Sequence, residues 1–355
     1  MFDERLKELE EIYKTRKVKT KKDLWLLDFL RLVEDEKLDL KKYALKAKKI
    51  TESYFGKAVL LYTPVYISDY CVNGCLYCGF SALNKIKRKK LSLSEIEQEF
   101  ISLKEKNFDT ILILTGDDKH NSPLSYIIEA VKLGKKYFSE ILIEIYPLEE
   151  FEYKKLVKNG VTGVTLYQET FDKRLYSKLH KFGPKKDFYF RLGAIERAIR
   201  ANVKEVNIGA LFGLNKDWIF DAFITLGYAD YLQSQYPDCE INISLPRIKE
   251  SFCKCKIYPL TDKNFIKLIV LSRIFLPRIG INISTRENKY IRDNIIEIGV
   301  TRISAESKTY VGGNFNNKEN EGQFQISDKR TVKEIIDMLK SKGYRAEFIN
   351  WTRIN

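Results

Sequence analysis

Apolar positions along the chain follow two rhythms. Over the first 55 residues they recur at helical spacing, as in DLWLLDFLRLV and LDLKKYALKAKKITESYF, so this stretch reads as amphipathic helices. From residue 58 short apolar, β-branched runs take over, at 58–68, 109–116, 140–147, 161–169, 205–213, 240–247, 280–287 and 300–307. Each is a strand candidate. Runs of helical period lie between them, among them SLSEIEQEFISLKEK, PLSYIIEAVKLGKKY, EEFEYKKLVKNG, FRLGAIERAIRAN, WIFDAFITLGYADYLQ, DKNFIKLIVLSRIF and NKYIRDNIIEIG. A last one, TVKEIIDMLKSKG, follows a polar stretch at 308–330. Strand and helix in alternation imply a parallel sheet. Eight such units match the count of a closed (β/α)8 TIM-type barrel, an α/β fold; an open, doubly wound sheet is the alternative. The expected organisation is an N-terminal helical extension at 1–57, a barrel at 58–307 and a C-terminal helix/strand cap at 308–355. A barrel places its chemistry at the C-terminal ends of the strands and in the loops that follow them.

Composition narrows the function classes. Of 355 residues, 44% are hydrophobic and 31% charged, which argues against disorder. No apolar run approaches the ~18 residues of a membrane span, and the opening MFDERLKELEEIYKTRKVKTKK has no secretory pattern. The expected location is cytoplasmic, with no membrane partner. There the six cysteines stay reduced and read as ligands, catalytic groups or bystanders. Two histidines exclude a His-rich zinc site, and any histidine base is His120 or His180. The net charge of +14 raises a nucleic-acid reading, but cations and acids are interspersed on helical faces, so no nucleic acid is expected. The one dense run is Lys85–Lys90, KIKRKK.

The sharpest local feature precedes that run: Cys71-Val72-Asn73-Gly74-Cys75-Leu76-Tyr77-Cys78 follows the first strand of the repeat. Three close thiolates suit an iron–sulfur cluster or zinc, and three ligands leave one metal position open. A zinc site completed by a distant ligand, or simply buried thiols, are the bland alternatives. Other strand ends carry Arg247, Arg286 and Ser304. A guanidinium at a barrel mouth binds a carboxylate or phosphate, or pairs with a neighbouring acid such as Glu287.

The cysteine spacing, with aromatic Tyr77 just before the third cysteine, resembles the radical S-adenosylmethionine (SAM) superfamily. The resemblance implies a [4Fe-4S] cluster on Cys71, Cys75 and Cys78, whose fourth iron is chelated by SAM. It also implies a SAM site at other strand ends. Thr115-Gly116-Asp117 is similar to the superfamily's Gly-Gly-Glu element for the SAM ammonium, with Asp in place of Glu. Glu169 is implied as a ribose acceptor and Arg191 as a partner for the SAM carboxylate. Gly209 and Gly213 offer bare backbone to adenine.

Further segments resemble one family within that superfamily, the 2-iminoacetate synthases. They are FGKAVLLYTPVYISDYCVNGCLYCGFSALNKIKRKKL, LTGD, YPLEEFEY, VTLYQETFD, KKDFYFRLGAIERA, IGALFGL, LPRI, ISTRE, ISAESKTYVGG, QF with DKR at 323–330, and FINW. The resemblance implies a carbon–carbon lyase that splits L-tyrosine at Cα–Cβ into 2-iminoacetate and 4-cresol. The imine feeds the thiazole of thiamine. Implied partners are a thiazole synthase subunit and a flavodoxin or ferredoxin reductant. Arg286 is implied as the clamp on the tyrosine carboxylate, Ser304 as an added hydrogen bond, and Tyr66 as a wall of the same pocket. The cationic run would attract an acidic electron donor. A related tyrosine lyase of [FeFe]-hydrogenase assembly shares the core but carries further C-terminal cysteines. Here none follows Cys255, which favours the thiamine enzyme, and Cys239, Cys253 and Cys255 are expected bystanders.

Overall fold

A computed structural model describes residues 2–315 and 322–350. Its sheet holds β1 (Ala58–Ser68), β2 (Thr110–Thr115), β3 (Glu140–Glu144), β4 (Gly163–Thr165), β5 (Glu205–Gly209), β6 (Glu240–Ser244), β7 (Gly280–Ile283), β8 (Arg302–Ser304) and β9 (Arg345–Glu347). Strands β1 to β8 pair in order, all parallel, and β1 pairs with both β8 and β2. The sheet is therefore a closed eight-stranded barrel, and the open-sheet alternative falls.

Thirteen α-helices accompany the described strands: α1 (Phe2–Thr15), α2 (Leu24–Glu34), α3 (Leu40–Phe55), α4 (Leu93–Glu105), α5 (Leu124–Gly134), α6 (Glu150–Asn159), α7 (Lys173–Leu179), α8 (Phe188–Leu192), α9 (Ala194–Arg200), α10 (Trp218–Gln235), α11 (Asp262–Phe275), α12 (Lys289–Ile295) and α13 (Val332–Ser341). Helices α1 to α3 cover α10 and α11 on the barrel's outside. Phe2 stacks on Tyr228 at 3.8 Å, and Leu6, Leu9 and Phe29 are fully buried. No helix among the described residues is long and apolar enough to cross a membrane.

All eight predicted strands form, but most stop three or four residues early. The strand predicted at 161–169 is ordered as sheet only over Gly163–Thr165, and that at 300–307 only over Arg302–Ser304. The apolar pattern continues past the ladder because those residues turn inward over the barrel mouth, where side chains still need cover. Helix α7 has no counterpart in the predicted pattern, and the single run FRLGAIERAIRAN breaks at Gly193 into α8 and α9.

The chain after β8 returns to the barrel. Strand β9 lies alongside the first three residues of β1, on the edge that β2 occupies from Thr63 onward. At the floor, Arg302 reaches two carboxylates: Glu205 takes both guanidinium nitrogens at 2.7 and 2.8 Å, and Glu240 takes one at 2.7 Å. A buried guanidinium is tolerable only with partners of this kind. The conserved geometry of barrels leaves the opposite end, where the strands finish, for chemistry.

Candidate active site

The cysteine loop begins where β1 ends and is fastened from three directions. Val72 N–H donates to the Asp117 carbonyl at 3.0 Å. Gly74 and Leu76 pair with Phe182 and Leu179, both at 3.0 Å, and Gly79 N–H donates to the Gln323 carbonyl at 3.0 Å. Gly116 must be glycine, since a Cβ there would collide with the Tyr70 carbonyl that leads into the loop. Arg88 braces the same loop, donating to the carbonyls of Asp69 and Phe80 at 2.7 Å and of Ser81 at 2.8 Å. Lys90 sits over the Tyr126 ring and Lys89 reaches Glu95 at 3.8 Å. Half of the cationic run is thus committed to structure.

Cys71, Cys75 and Cys78 line one cavity together with Thr115, Gly116, Asp117, Glu169 and Arg191. Eight residues from four separate stretches of the chain therefore meet in space. Asp117 accepts from Asn73 Nδ2 at 2.7 Å. Glu169, in a left-handed conformation (φ 72°), accepts from Lys185 Nζ at 2.6 Å and lies 3.7 Å from Arg191. Burial opposes the Glu169 charge, yet these two cations hold its carboxyl below the usual range. Arg191 is buried and anchored by its Nε–H to the Tyr167 carbonyl at 2.8 Å. Thr115 lines this cavity, and its hydroxyl is buried with no partner among the described residues.

Tyr77 is placed by His180. The Nδ1–H of His180 donates to the Tyr176 carbonyl at 2.8 Å, so its Nε2 accepts from Tyr77 Oη at 2.7 Å. Burial, reinforced by Lys185, pulls the His180 pKa down to about 3. That imidazole stays neutral and spends both nitrogens on structure, while His120 is exposed. Gly209 and Gly213 flank Leu211, which lines the second cavity. Their own immediate surroundings are protein: a Cβ at Gly209 would strike the Ser244 carbonyl, and Gly213 (φ 106°) turns the chain against Ile248.

The second cavity adjoins the first and shares Cys78, Leu114, Glu144, Glu169, Lys185 and Gln323 with it. Its walls are aromatic: Tyr62, Tyr66, Tyr77, Tyr167 and Phe324. Tyr66 Oη donates to Gln323 Oε1 at 2.7 Å, and its ring meets Phe80 edge-on. The Arg286 guanidinium lies 3.4 Å over the Phe324 ring, within this cavity. Burial lowers its pKa from the ordinary value, and no ion pair within 4 Å offsets that among the described residues. Glu287 pairs instead with Arg247, which also binds Asp262 at 2.6 Å. Ser304 lines the same cavity, its Oγ accepting from Thr285 N–H at 3.2 Å.

Lys185, Gln323 and Phe324 fall in segments quoted for the family resemblance, KKDFYFRLGAIERA and QF, but the sequence assigned no role to them or to Glu144. Glu144 carried a signal, an acid at the end of the apolar run EILIE. Lys185 carried only its place at the head of KKDFYFRLGAIERA, in a loop after the unpredicted α7.

Residues 65–223 match the model of the radical SAM superfamily, and residues 244–345 match the biotin and thiamin synthesis associated domain. The 2-iminoacetate synthase of Escherichia coli (strain K12) is 32% identical over 315 residues, spanning 88% of this chain and 83% of that protein. The chain belongs to the 2-iminoacetate synthase family. The crystal structure of HydG, a maturase of the [FeFe]-hydrogenase, superposes with a TM-score of 0.88 at 31% identity, covering 98% of this chain and 80% of that one. Methylornithine synthase shares the fold, with a TM-score of 0.73 at 22% identity.

Members of this radical SAM family use a [4Fe-4S] cluster and SAM. The residues fit both groups. Among the described residues no three cysteines, histidines or carboxylates crowd one point closely enough for a single metal ion. A cubane is larger and takes three thiolates on three different irons. Burial pushes the Cys71 thiol up to about 12 and raises Cys75 and Cys78 too, so these sulfurs ionise only beside strong positive charge, as iron supplies. Cys253 and Cys255, 3.3 Å apart through Cys255 N–H and Cys253 Sγ, border the cysteine loop but do not line its cavity.

Proposed function

We propose that the protein cleaves the Cα–Cβ bond of L-tyrosine, giving 2-iminoacetate and 4-cresol for thiazole formation in thiamine synthesis. The observation that carries this reading is the aromatic-walled cavity that joins Cys78 to Arg286, which has no ion pair among the described residues. Together, bound cluster and SAM supply a hydrogen-abstracting 5′-deoxyadenosyl radical. Cys71, Cys75 and Cys78 would hold the cluster. Asp117, Glu169 and Arg191, with the Thr115 hydroxyl, offer SAM acceptors and donors matched to its ammonium, ribose and carboxylate.

Arg286 would take the tyrosine carboxylate, stacked on Phe324 so that its donor fork is held in one plane. Ser304 adds a hydroxyl at the same end. Tyr66, held by Gln323, and Tyr62 and Tyr167 enclose the phenol ring. Abstraction requires a fixed approach and little water, and these buried aromatics supply both. The reading brings with it a flavodoxin or ferredoxin as electron source and a thiazole synthase as consumer of the imine. Lys85 and Lys87, two exposed lysines of the cationic run, offer charge to an acidic reductant.

Anaerobically reconstituted protein, given L-tyrosine, SAM and dithionite, should release 4-cresol and glyoxylate, the hydrolysis product of the imine. Formation of 5′-deoxyadenosine without cresol would overturn the substrate and reaction.

A further inference from the structure

Six residues are common to both cavities, and two of them are acids, Glu144 and Glu169. Their situations differ. Glu169 is already satisfied by Lys185 at 2.6 Å and Arg191 at 3.7 Å. Glu144, the last residue of β3, has neither a hydrogen bond nor a cation within 4 Å among the described residues. Other buried acids are engaged: Asp221 accepts from Phe171 N–H at 2.7 Å, and Glu99 from Asn314 N–H at 2.7 Å. Glu144 is therefore an acid enclosed among tyrosines, with Arg286 in the same cavity and the cysteine-lined space next to it.

We propose that Glu144 binds the α-ammonium group of the amino-acid substrate while Arg286 binds its carboxylate. The inference rests on the reading of the substrate given above and assigns a residue to the charged group that reading leaves unplaced. Two features favour the substrate over SAM as its partner. The SAM side already has Asp117 and Glu169 for cationic and hydroxyl groups. Glu144 also stands at the junction of the two cavities, where the substrate nitrogen must lie if hydrogen is taken from it by a radical formed beside the cluster. An unoccupied Glu144 bears the cost of burial and of the neighbouring Glu169 charge, and its pKa rises to about 7. Arg286, Lys185 and Arg191 oppose that rise at longer range. An arriving ammonium would remove the imbalance.

The test compares equilibrium binding of L-tyrosine and of 3-(4-hydroxyphenyl)propanoate, which keeps carboxylate and phenol but lacks the ammonium. Both are measured on reconstituted, SAM-loaded wild type, Glu144→Gln and Arg286→Lys. Glu144→Gln should weaken tyrosine about 30-fold or more, the effect of removing one partner of an enclosed charge pair, and leave the deamino analogue unchanged or tighter. Arg286→Lys should weaken both. Equal loss of tyrosine and analogue, or unchanged tyrosine affinity, would each overturn the assignment. Because binding is measured directly, wild type that binds tyrosine but makes no cresol refutes the reaction alone, and the Glu144 comparison still returns its answer.

Discussion

Two arginines stand at neighbouring strand ends, and only one is available for a ligand. Arg247 is saturated by Glu287, Asp262 and the Leu260 carbonyl, while Arg286, stacked on Phe324, has no ion pair among the described residues. Arg286→Ala should therefore keep the cluster absorbance and substrate-free SAM cleavage but raise the tyrosine KM by about 30-fold or more. An unchanged KM would sink the clamp. The sequence showed that both positions carry arginine at a barrel mouth; it could not show which one Glu287 would take, because that depends on how the loops after β6 and β7 lean together. The three cysteines, by contrast, were fully legible, since chemistry fixes their spacing within eight residues. Cys75→Ala should abolish both the cluster absorbance and 5′-deoxyadenosine formation. Retention of either would mean that the cluster is held elsewhere.

At the scale of elements, the turn after β4 shows how a ligand side chain is aimed. Glu169 is held with positive φ, and Asp221 of α10 grips the next two residues through the Thr170 hydroxyl and Phe171 N–H. Burial raises the Asp221 pKa to about 7 from 3.8. Between those values the folded state holds a proton that the unfolded state has lost. Stability from this group is full below about pH 4 and drains away as pH rises towards 7. Asp221→Asn should flatten that slope in anaerobic thermal melts between pH 5 and 8, and an unaltered slope would show that another group sets it. Elements themselves were legible because apolar period distinguishes strand from helix over long runs. Their C-terminal ends were not, because a residue covering the barrel mouth is as apolar as one inside the ladder. Short α7, with only two buried residues, left no periodic trace.

For the molecule as a whole, the floor and the mouth are separate structures built on one sheet. Arg302, Glu205 and Glu240 tie three strands together at the end away from the site. Arg302→Met removes the buried guanidinium that Glu205 and Glu240 share and should lower stability by about 3–5 kcal/mol. Chemical denaturation should report that loss while tyrosine affinity at moderate temperature stays close to wild type. A matching loss of affinity would mean that the two ends are coupled. The fold class was legible in the count of eight repeats. The closing cap was not legible in detail, because β9 is three residues long and pairs only with the start of β1.

The fastening of the cysteine loop has a consequence for how the protein comes into being. Gly79 is hydrogen-bonded to Gln323, and β1 is flanked by β8 and β9, all of which leave the ribosome long after the cysteines do. For most of translation the nascent chain exposes three thiols on a loop that has no walls. Iron delivered then would meet an open, oxidisable motif, whereas iron delivered after release meets a finished socket. The order of residues along the chain thus leaves the socket around the cysteines incomplete until its last segments have been made.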